Sequence, residues 1–406
     1  TYPYGEITSH MLGYLQKVNA EDLEKHKGEG YSENSYIGRS GIEAAYEKEL
    51  KGTTGKTISI VDKNGKRIDT IAEMKKEDGK TIDLTIDINL QKNLYNAFQK
   101  DKSASVALNP QTGEVLALVS TPSFSSNDFI LGMSTEKWDQ MNNDKNLPLS
   151  NRFKSAVVPG SSMKPITAAI GLDSKKLDAH EDLKAEMKWQ KDSSWGGYYV
   201  TTLHAPKPNN LKNAMVQSDN VYFAKAALRI GADNLEKGYK QLKIGEKIPF
   251  ELALNKSQYT SKDFKDDIQV ADSGYGQGEI LMNPVQMASI YGAFVNDGNM
   301  MTPRLLKSTD QSVWVESAFT KETCDVVKDA LIGVVNEGTG KAMKMNGVTL
   351  AGKTGTGEIK ASQDDTTGSE IGWFTVMTTD SSRPVVISTM VEDVKNRGGS
   401  SYVVNH

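Results

Sequence analysis

The chain has 406 residues, with 48 Lys and Arg against 52 Asp and Glu and a formal net charge of −4. That balance excludes a chain built as a whole for nucleic acid, and the length allows two or three domains around a sizeable core. One cysteine, Cys324, excludes an internal disulfide and reads as a buried thiol, while the five scattered histidines have no metal-ligand spacing. Neither a metal nor any other cofactor is expected. No run reaches about 18 apolar residues, so nothing here spans a membrane. Thr1 is not an initiator Met and no signal pattern follows it, which reads as a piece of a longer protein.

Residues 1–84 are polar and rich in lysine (Lys48, Lys51, Lys56, Lys63, Lys66, Lys75, Lys76, Lys80), with Asp and Glu interspersed as on a solvated face. A helical pattern begins at Gly41, and Thr57-Ile58-Ser59-Ile60-Val61 before Lys63-Asn64-Gly65 reads as a strand and turn. From Thr85 the texture changes. Asp87 is placed to cap a helix through Leu90, Leu94, Tyr95 and Phe98. Ser105-Val106-Ala107-Leu108 and Glu114-Val115-Leu116-Ala117-Leu118-Val119 flank a turn at 109–113 and predict a β-hairpin. Helices are expected near 162–172, 220–230 and 284–296, and strands near 348–351, 371–376 and 385–390. Strands at both ends with helices between them suggest an α+β domain whose sheet joins distant segments. The tail from Gly398-Gly399 to His406 reads as having no closing element, as though a further piece followed.

Three short motifs carry the chemistry. In Ser161-Ser162-Met163-Lys164, Pro165 lacks the N–H that would bond the Ser161 carbonyl, so Ser161 is expected at a helix start with Lys164 one turn on. The free N–H groups there suit a developing oxyanion. A serine needs an adjacent base, and Lys164 serves only if burial or a second cation keeps it neutral part of the time. Ser218-Asp219-Asn220 precedes an apolar helical pattern and by itself is a helix cap. Within the set, Ser218 relays a proton toward a leaving amine, and Asn220 donates to substrate and accepts from Lys164. Lys353-Thr354-Gly355-Thr356 follows an apolar run. Lys353 and Thr354 offer a cation and a hydroxyl to a carboxylate, Gly355 permits close approach of substrate backbone, and the N–H of Thr356 joins that of Ser161 as an oxyanion hole.

Two local readings compete. Gly347 to Thr354 matches a phosphate-loop pattern letter for letter, but no buried strand precedes it and glycines 355 and 357 oppose a following helix. The run 189–198, aromatic and punctuated by glycine, is either a lid over the cleft or simple packing.

The ordered set Ser-x-x-Lys, Ser-Asp-Asn and Lys-Thr-Gly is the one that marks penicillin-binding proteins and class A β-lactamases. With Asn109-Pro110-Gln111-Thr112-Gly113, Gly276-Gln277-Gly278-Glu279, Asn283-Pro284-Val285-Gln286 and Ile371-Gly372-Trp373-Phe374, the chain resembles a class B penicillin-binding protein along essentially its whole length. Tyr4-Gly5-Glu6-Ile7-Thr8-Ser9-His10 and Ala271-Asp272-Ser273-Gly274-Tyr275-Gly276 resemble the low-affinity branch typified by penicillin-binding protein 2a of methicillin resistance. Ser162-Met163 and Thr354 depart from that protein. The resemblance implies a central antiparallel sheet with helices on both sides in residues 85–406, behind a non-catalytic pedestal remnant in residues 1–84. It implies a D,D-transpeptidase that cross-links peptidoglycan stem peptides outside the cytoplasmic membrane, inhibited by β-lactams and anchored upstream, with a glycosyltransferase or a division or elongation protein as partner. Two rivals are weighed against it. A serine β-lactamase is one, although the distance from Asn220 to Lys353 exceeds what a compact hydrolase needs. A non-catalytic β-lactam sensor or scaffold is the other.

Overall fold

The computed structural model describes residues 1–360 and 367–406. It divides into two compact units: residues 1–84 with 123–149, and residues 85–122 with 150–406. The chain thus leaves the first unit after Leu84 and returns to it from Ser123 to Leu149.

The first unit is built from short elements. Its aromatic cluster stacks Tyr14 on Phe129 at 3.9 Å between centroids, with Phe124 edge-on to both. Its hairpin pairs β1 (Lys56–Val61) with β2 (Arg67–Met74), closed through Gly65 in the left-handed region as the Asn-Gly signal predicts. Nearly every hairpin residue is exposed, including Ile58, Ile60, Ile68 and Ile71.

The second unit holds the large core. Helix α1 (Ile88–Phe98) starts where Asp87 accepts from the N–H groups of Asn89 and Leu90. Strands β3 (Ser103–Leu108) and β4 (Val115–Thr121) form the expected hairpin, with Asn109 Oδ1 accepting from Gln111 N–H at 2.9 Å in the turn. The helices α2 (Lys164–Asp173), α3 (Asn220–Ile230), α4 (Asp267–Gly274), α5 (Pro284–Ala293) and α6 (Lys321–Glu337) follow. The chain ends with β5 (Leu350–Ile359), β6 (Ser369–Thr378), β7 (Val386–Val391) and α7 (Ser400–Asn405).

One antiparallel five-stranded sheet runs in the order β5-β6-β7-β3-β4. The two ends of the unit meet where β7 pairs with β3, Thr389 facing Ser105. Helix α5 is buried along its whole length and packs on the central strands. Its Pro284 stands in the first turn behind the Asn283 cap, where a missing N–H costs nothing. Cys324 is buried, and burial pushes its thiol up to about 12.

One expectation needs correction. The tail does have a closing element: α7 buries Val403 and Val404 against β6. The rejection of the phosphate loop, by contrast, agrees with the structure, where Leu350–Ile359 is strand β5, paired with β6. Among the described residues no helix is long and apolar enough to cross a membrane.

Candidate active site

Pro165 decides how Ser161 is presented. Its missing N–H leaves the Ser161 carbonyl without an α-helical partner, and the Lys164 N–H bonds that oxygen instead. The result is a tight 3₁₀ turn over Gly160–Met163 that runs into α2. Three contacts fix this turn. Trp373 Nε1 donates to Val158 O at 2.9 Å, Tyr291 Oη to Ser162 O at 2.7 Å, and Gly160 N–H to Gly276 O at 3.0 Å. Gly160 has φ +53°, and a Cβ there would run into the carbonyl of Thr356 on β5. Ser161 is half-buried, and its N–H has no partner among the described residues.

Lys164 points inward and is fully buried. Its Nζ lies 2.7 Å from Ser218 O, 2.7 Å from Asn220 Oδ1 and 3.1 Å from Ser218 Oγ. The two carbonyl oxygens take both N–H bonds of a neutral amine, which leaves its lone pair for a hydroxyl proton. Burial holds the Lys164 pKa well below the ordinary lysine value, the charge of Lys353 lowers it further, and Asp219 opposes both. No hydrogen bond joins Ser161 Oγ to Lys164 Nζ in this structure.

Ser218 lies at the junction between a short helix, Leu211–Val216, and α3, with φ +56°. A serine in the left-handed region is uncommon and costs about 1–2 kcal/mol. That turn aims both its carbonyl and its hydroxyl at Lys164. Asp219 caps α3 through Val221 N–H at 2.8 Å and Tyr222 N–H at 3.2 Å, and takes a further bond from Asn209 Nδ2 at 2.9 Å. Asn220 donates through Nδ2 to Thr201 O at 3.1 Å.

From the other wall, β5 brings Lys353, also fully buried, with Nζ 2.8 Å from Ser218 Oγ and 3.0 Å from Thr354 O. Burial lowers its pKa to about 7. Ser218 Oγ thus stands between two amines. Strand β5 also lies against the serine turn, because a Cβ on Gly355 would meet Ser162 Oγ and Pro159 O. The room at Gly355 that the sequence reading gives to substrate is used here by the protein's own nucleophile turn. Thr354 is buried with its hydroxyl on Thr339, and Thr356 is half-buried with its carbonyl 3.4 Å from Gln277 Nε2.

Lys164, Ser218, Asn220 and Lys353 are therefore joined by direct hydrogen bonds, with half-buried Ser161 one turn before Lys164. Sequence reasoning gives no role to Tyr291 or Thr339, which no local motif marks, nor to Gln277, which lies in a stretch singled out without a role. Trp373 lies in a stretch singled out without a role, and its indole bond to the serine turn supplies one. In the run 189–198, Trp195 is buried between Trp189 and Tyr198, and Tyr198 Oη donates to Asp272 Oδ1 on α4 at 2.5 Å. That run packs, and the strand leaving it, Val200–Thr201, reaches Asn220.

Residues 103–405 match the penicillin binding protein transpeptidase domain, and residues 1–84 match the penicillin-binding protein dimerisation domain. Penicillin-binding protein 3 of Bacillus subtilis is 44% identical over 409 residues, covering 99% of this chain and 60% of that protein. The peptidoglycan D,D-transpeptidase MrdA of Escherichia coli K12 is 30% identical over 385 residues, covering 88% of this chain and 61% of that one. The chain thus spans about 60% of the length of these relatives. Among solved structures, PBP2 of Helicobacter pylori in complex with MreC superposes with a TM-score of 0.86 at 24% identity, covering 100% of this chain and 76% of that one. Penicillin-binding protein A of Mycobacterium tuberculosis, as a ceftriaxone acyl-enzyme, gives 0.80 at 21% identity, covering 100% and 90%.

Proposed function

The chain belongs to the class B penicillin-binding protein transpeptidases, and on that footing we propose that it is a peptidoglycan D,D-transpeptidase working through an acyl-enzyme on Ser161. The observation that carries this reading is the buried Lys164 amine, held between Ser218 and Asn220 one short turn from Ser161. Ser161 Oγ attacks the carbonyl between the two terminal D-alanines of a stem peptide. Its proton passes to neutral Lys164, and the charge that develops on the carbonyl oxygen is taken by the N–H groups of Ser161 and Thr356. The carbon–nitrogen bond breaks as Ser218 hands a proton to the departing D-alanine amine, and Lys164 restores it. An amine of a second stem peptide then takes the acyl group and frees Ser161. With a β-lactam the broken amide stays tethered to the acyl group, so the ester lasts.

The reading extends to a non-catalytic pedestal in residues 1–84, a transpeptidase domain in residues 85–406, and action at the extracytoplasmic face of the membrane beside an elongation or division partner. The Helicobacter complex with MreC supports an elongation partner. We also propose slow acylation, as in the low-affinity branch. Support comes from Lys164, whose amine is bonded to Ser218 and Asn220 and not to the Ser161 hydroxyl. If only a fraction of molecules is competent, the apparent rate falls by that fraction, and a penalty of about 3 kcal/mol costs roughly a hundredfold.

Intact mass after benzylpenicillin, followed over hours and mapped to a peptide, tests the Ser161 acyl-enzyme and its slow formation. One adduct on Ser161, absent from Ser161→Ala and formed slowly, is expected. Label on Ser162 or Ser218 would reject the nucleophile, and release within seconds would favour a β-lactamase.

A further inference from the structure

Asp272 stands near the end of α4, where its Oδ1 meets two phenols, Tyr198 Oη and Tyr275 Oη, each at 2.5 Å. An ionised carboxylate only accepts, so both bonds run from tyrosine to aspartate. Burial raises the Asp272 pKa, the two phenols lower it, and Asp266 raises it again.

The two tyrosines belong to segments on either side of the reaction centre. Tyr275 precedes Gly276, whose carbonyl holds the Gly160 N–H of the serine turn, and a Cβ on Gly276 would strike the Gly160 carbonyl. Tyr198 comes two residues before the strand Val200–Thr201. Thr201 O takes Asn220 Nδ2 at 3.1 Å, and Thr202 Oγ1 takes the Asn220 N–H at 3.3 Å. A backbone carbonyl only accepts, so the Asn220 amide must turn its Nδ2 to Thr201 and its Oδ1 to Lys164, 2.7 Å away. The strand therefore decides which way that amide faces. Its pairing with Lys188–Trp189 is two residues long and internal to the same excursion of the chain. The Lys191–Asp267 ion pair that also reaches α4 is exposed, and such pairs hold little. The Tyr198–Asp272 bond is charge-assisted and largely shielded from water, which makes it the stronger tie.

We infer that Asp272 is a positioning residue for acyl transfer: through Tyr198 it fixes the strand that turns the Asn220 amide oxygen toward Lys164. This rests on the acyl-transfer reading above. The same carboxylate oxygen, through Tyr275, holds the segment that seats the serine turn, so one buried anion keeps Asn220 and Ser161 in register.

The test is benzylpenicillin acylation of Ser161 on the full chain, followed by quenched-flow mass spectrometry across drug concentration. Tyr198→Phe keeps the ring and deletes only the bond to Asp272. It is expected to lower the limiting acylation rate about tenfold, with Asp272→Ala at least as slow; should Asp272→Ala not fold, Tyr198→Phe decides. In an Asn220→Ala background no amide is left to orient, so Tyr198→Phe should change the rate less than about twofold. The pH profile is a second readout. A loosened Asn220 withdraws one acceptor from the Lys164 ammonium while Ser218, Lys353 and Asp219 stay in place, so the acidic limb should move to lower pH in Tyr198→Phe. A merely structural loss would scale the whole profile and leave the limb where it was. If Asn220→Ala takes no label, the limb decides alone. A normal rate in Tyr198→Phe would overturn the inference, as would an equal loss in both backgrounds or an unmoved limb. Absence of any label at Ser161 in the unsubstituted chain is a separate failure, because it removes the acyl-transfer reading itself.

Discussion

Lys56, Lys63, Lys66, Lys75, Lys76 and Lys80 all stand exposed around the β1–β2 hairpin, whereas Lys164 and Lys353 of the second unit are fully buried. The residue type is the same and the chemistry is opposite. Lys76, bonded to Asp78 at the surface, is held above its ordinary pKa. Lys353 is brought down to about 7, and Lys164 is lowered well below the ordinary value. Water stabilises an exposed ammonium at no structural cost, while a buried one must either find partners or lose its proton. The strands show the same contrast. Residues of β1 and β2 are exposed on nearly every side, those of β3 and β4 almost all buried. A sheet with helices packed on it creates the dry site, and a bare hairpin cannot.

The contrast breaks most severely if the base is removed. Lys164→Ala should lower acylation by ~10⁴-fold with unchanged circular dichroism, and near-normal labelling would show that another group accepts the Ser161 proton. Next in size is the packing that excludes water. Trp373→Ala removes a fully buried indole and the bond to Val158 O, and should cost about 3–5 kcal/mol in denaturant unfolding. A loss below about 1 kcal/mol would mean that the serine turn does not depend on it.

Lys353→Met sharpens the electrostatic half of the comparison. Acylation by a neutral Lys164 rises with pH as its proton leaves. Without the Lys353 charge, Lys164 holds its proton more tightly, so the acidic limb of the profile should move to higher pH. An unmoved limb would mean that burial alone sets the Lys164 pKa. Stability responds as well. Between about pH 7 and the ordinary lysine value of 10.5, the unfolded chain binds a proton that folded Lys353 has released. The contribution of Lys353 to stability should grow with pH across that window and be constant below it, and the methionine variant should lose this part of the slope. At the small end, Ile58→Thr in the exposed hairpin should change stability by no more than about 0.5 kcal/mol. A loss of several times that would show that β1 is covered in solution.

Much of the second unit was legible one segment at a time. Asp87 and Asp219 cap the helices that follow them, Asn109 closes the hairpin turn, and Pro165 forces Ser161 onto a helix start. All are backbone requirements over a few residues, so spacing alone reveals them. The longest helix, Lys321–Glu337, and the closing helix Ser400–Asn405 are missing from the elements that local pattern predicts. The second is six residues long and is held by Val403 and Val404 packed on the sheet. A helix that short is marginal without such packing.

By itself the sequence determined the three motifs, their order, the turn that exposes Ser161 and the family to which they point. Only the tertiary structure decided what those residues do to one another. It brought Lys353 within 2.8 Å of Ser218 Oγ, seated the serine turn on Gly355 and turned the hydroxyl of Thr354 onto Thr339. The physical reason is that hydrogen-bond geometry near one residue is encoded locally, whereas desolvation belongs to everything packed around a side chain, and here that packing joins distant segments: Ser218 lies 54 positions from Lys164 and 135 from Lys353.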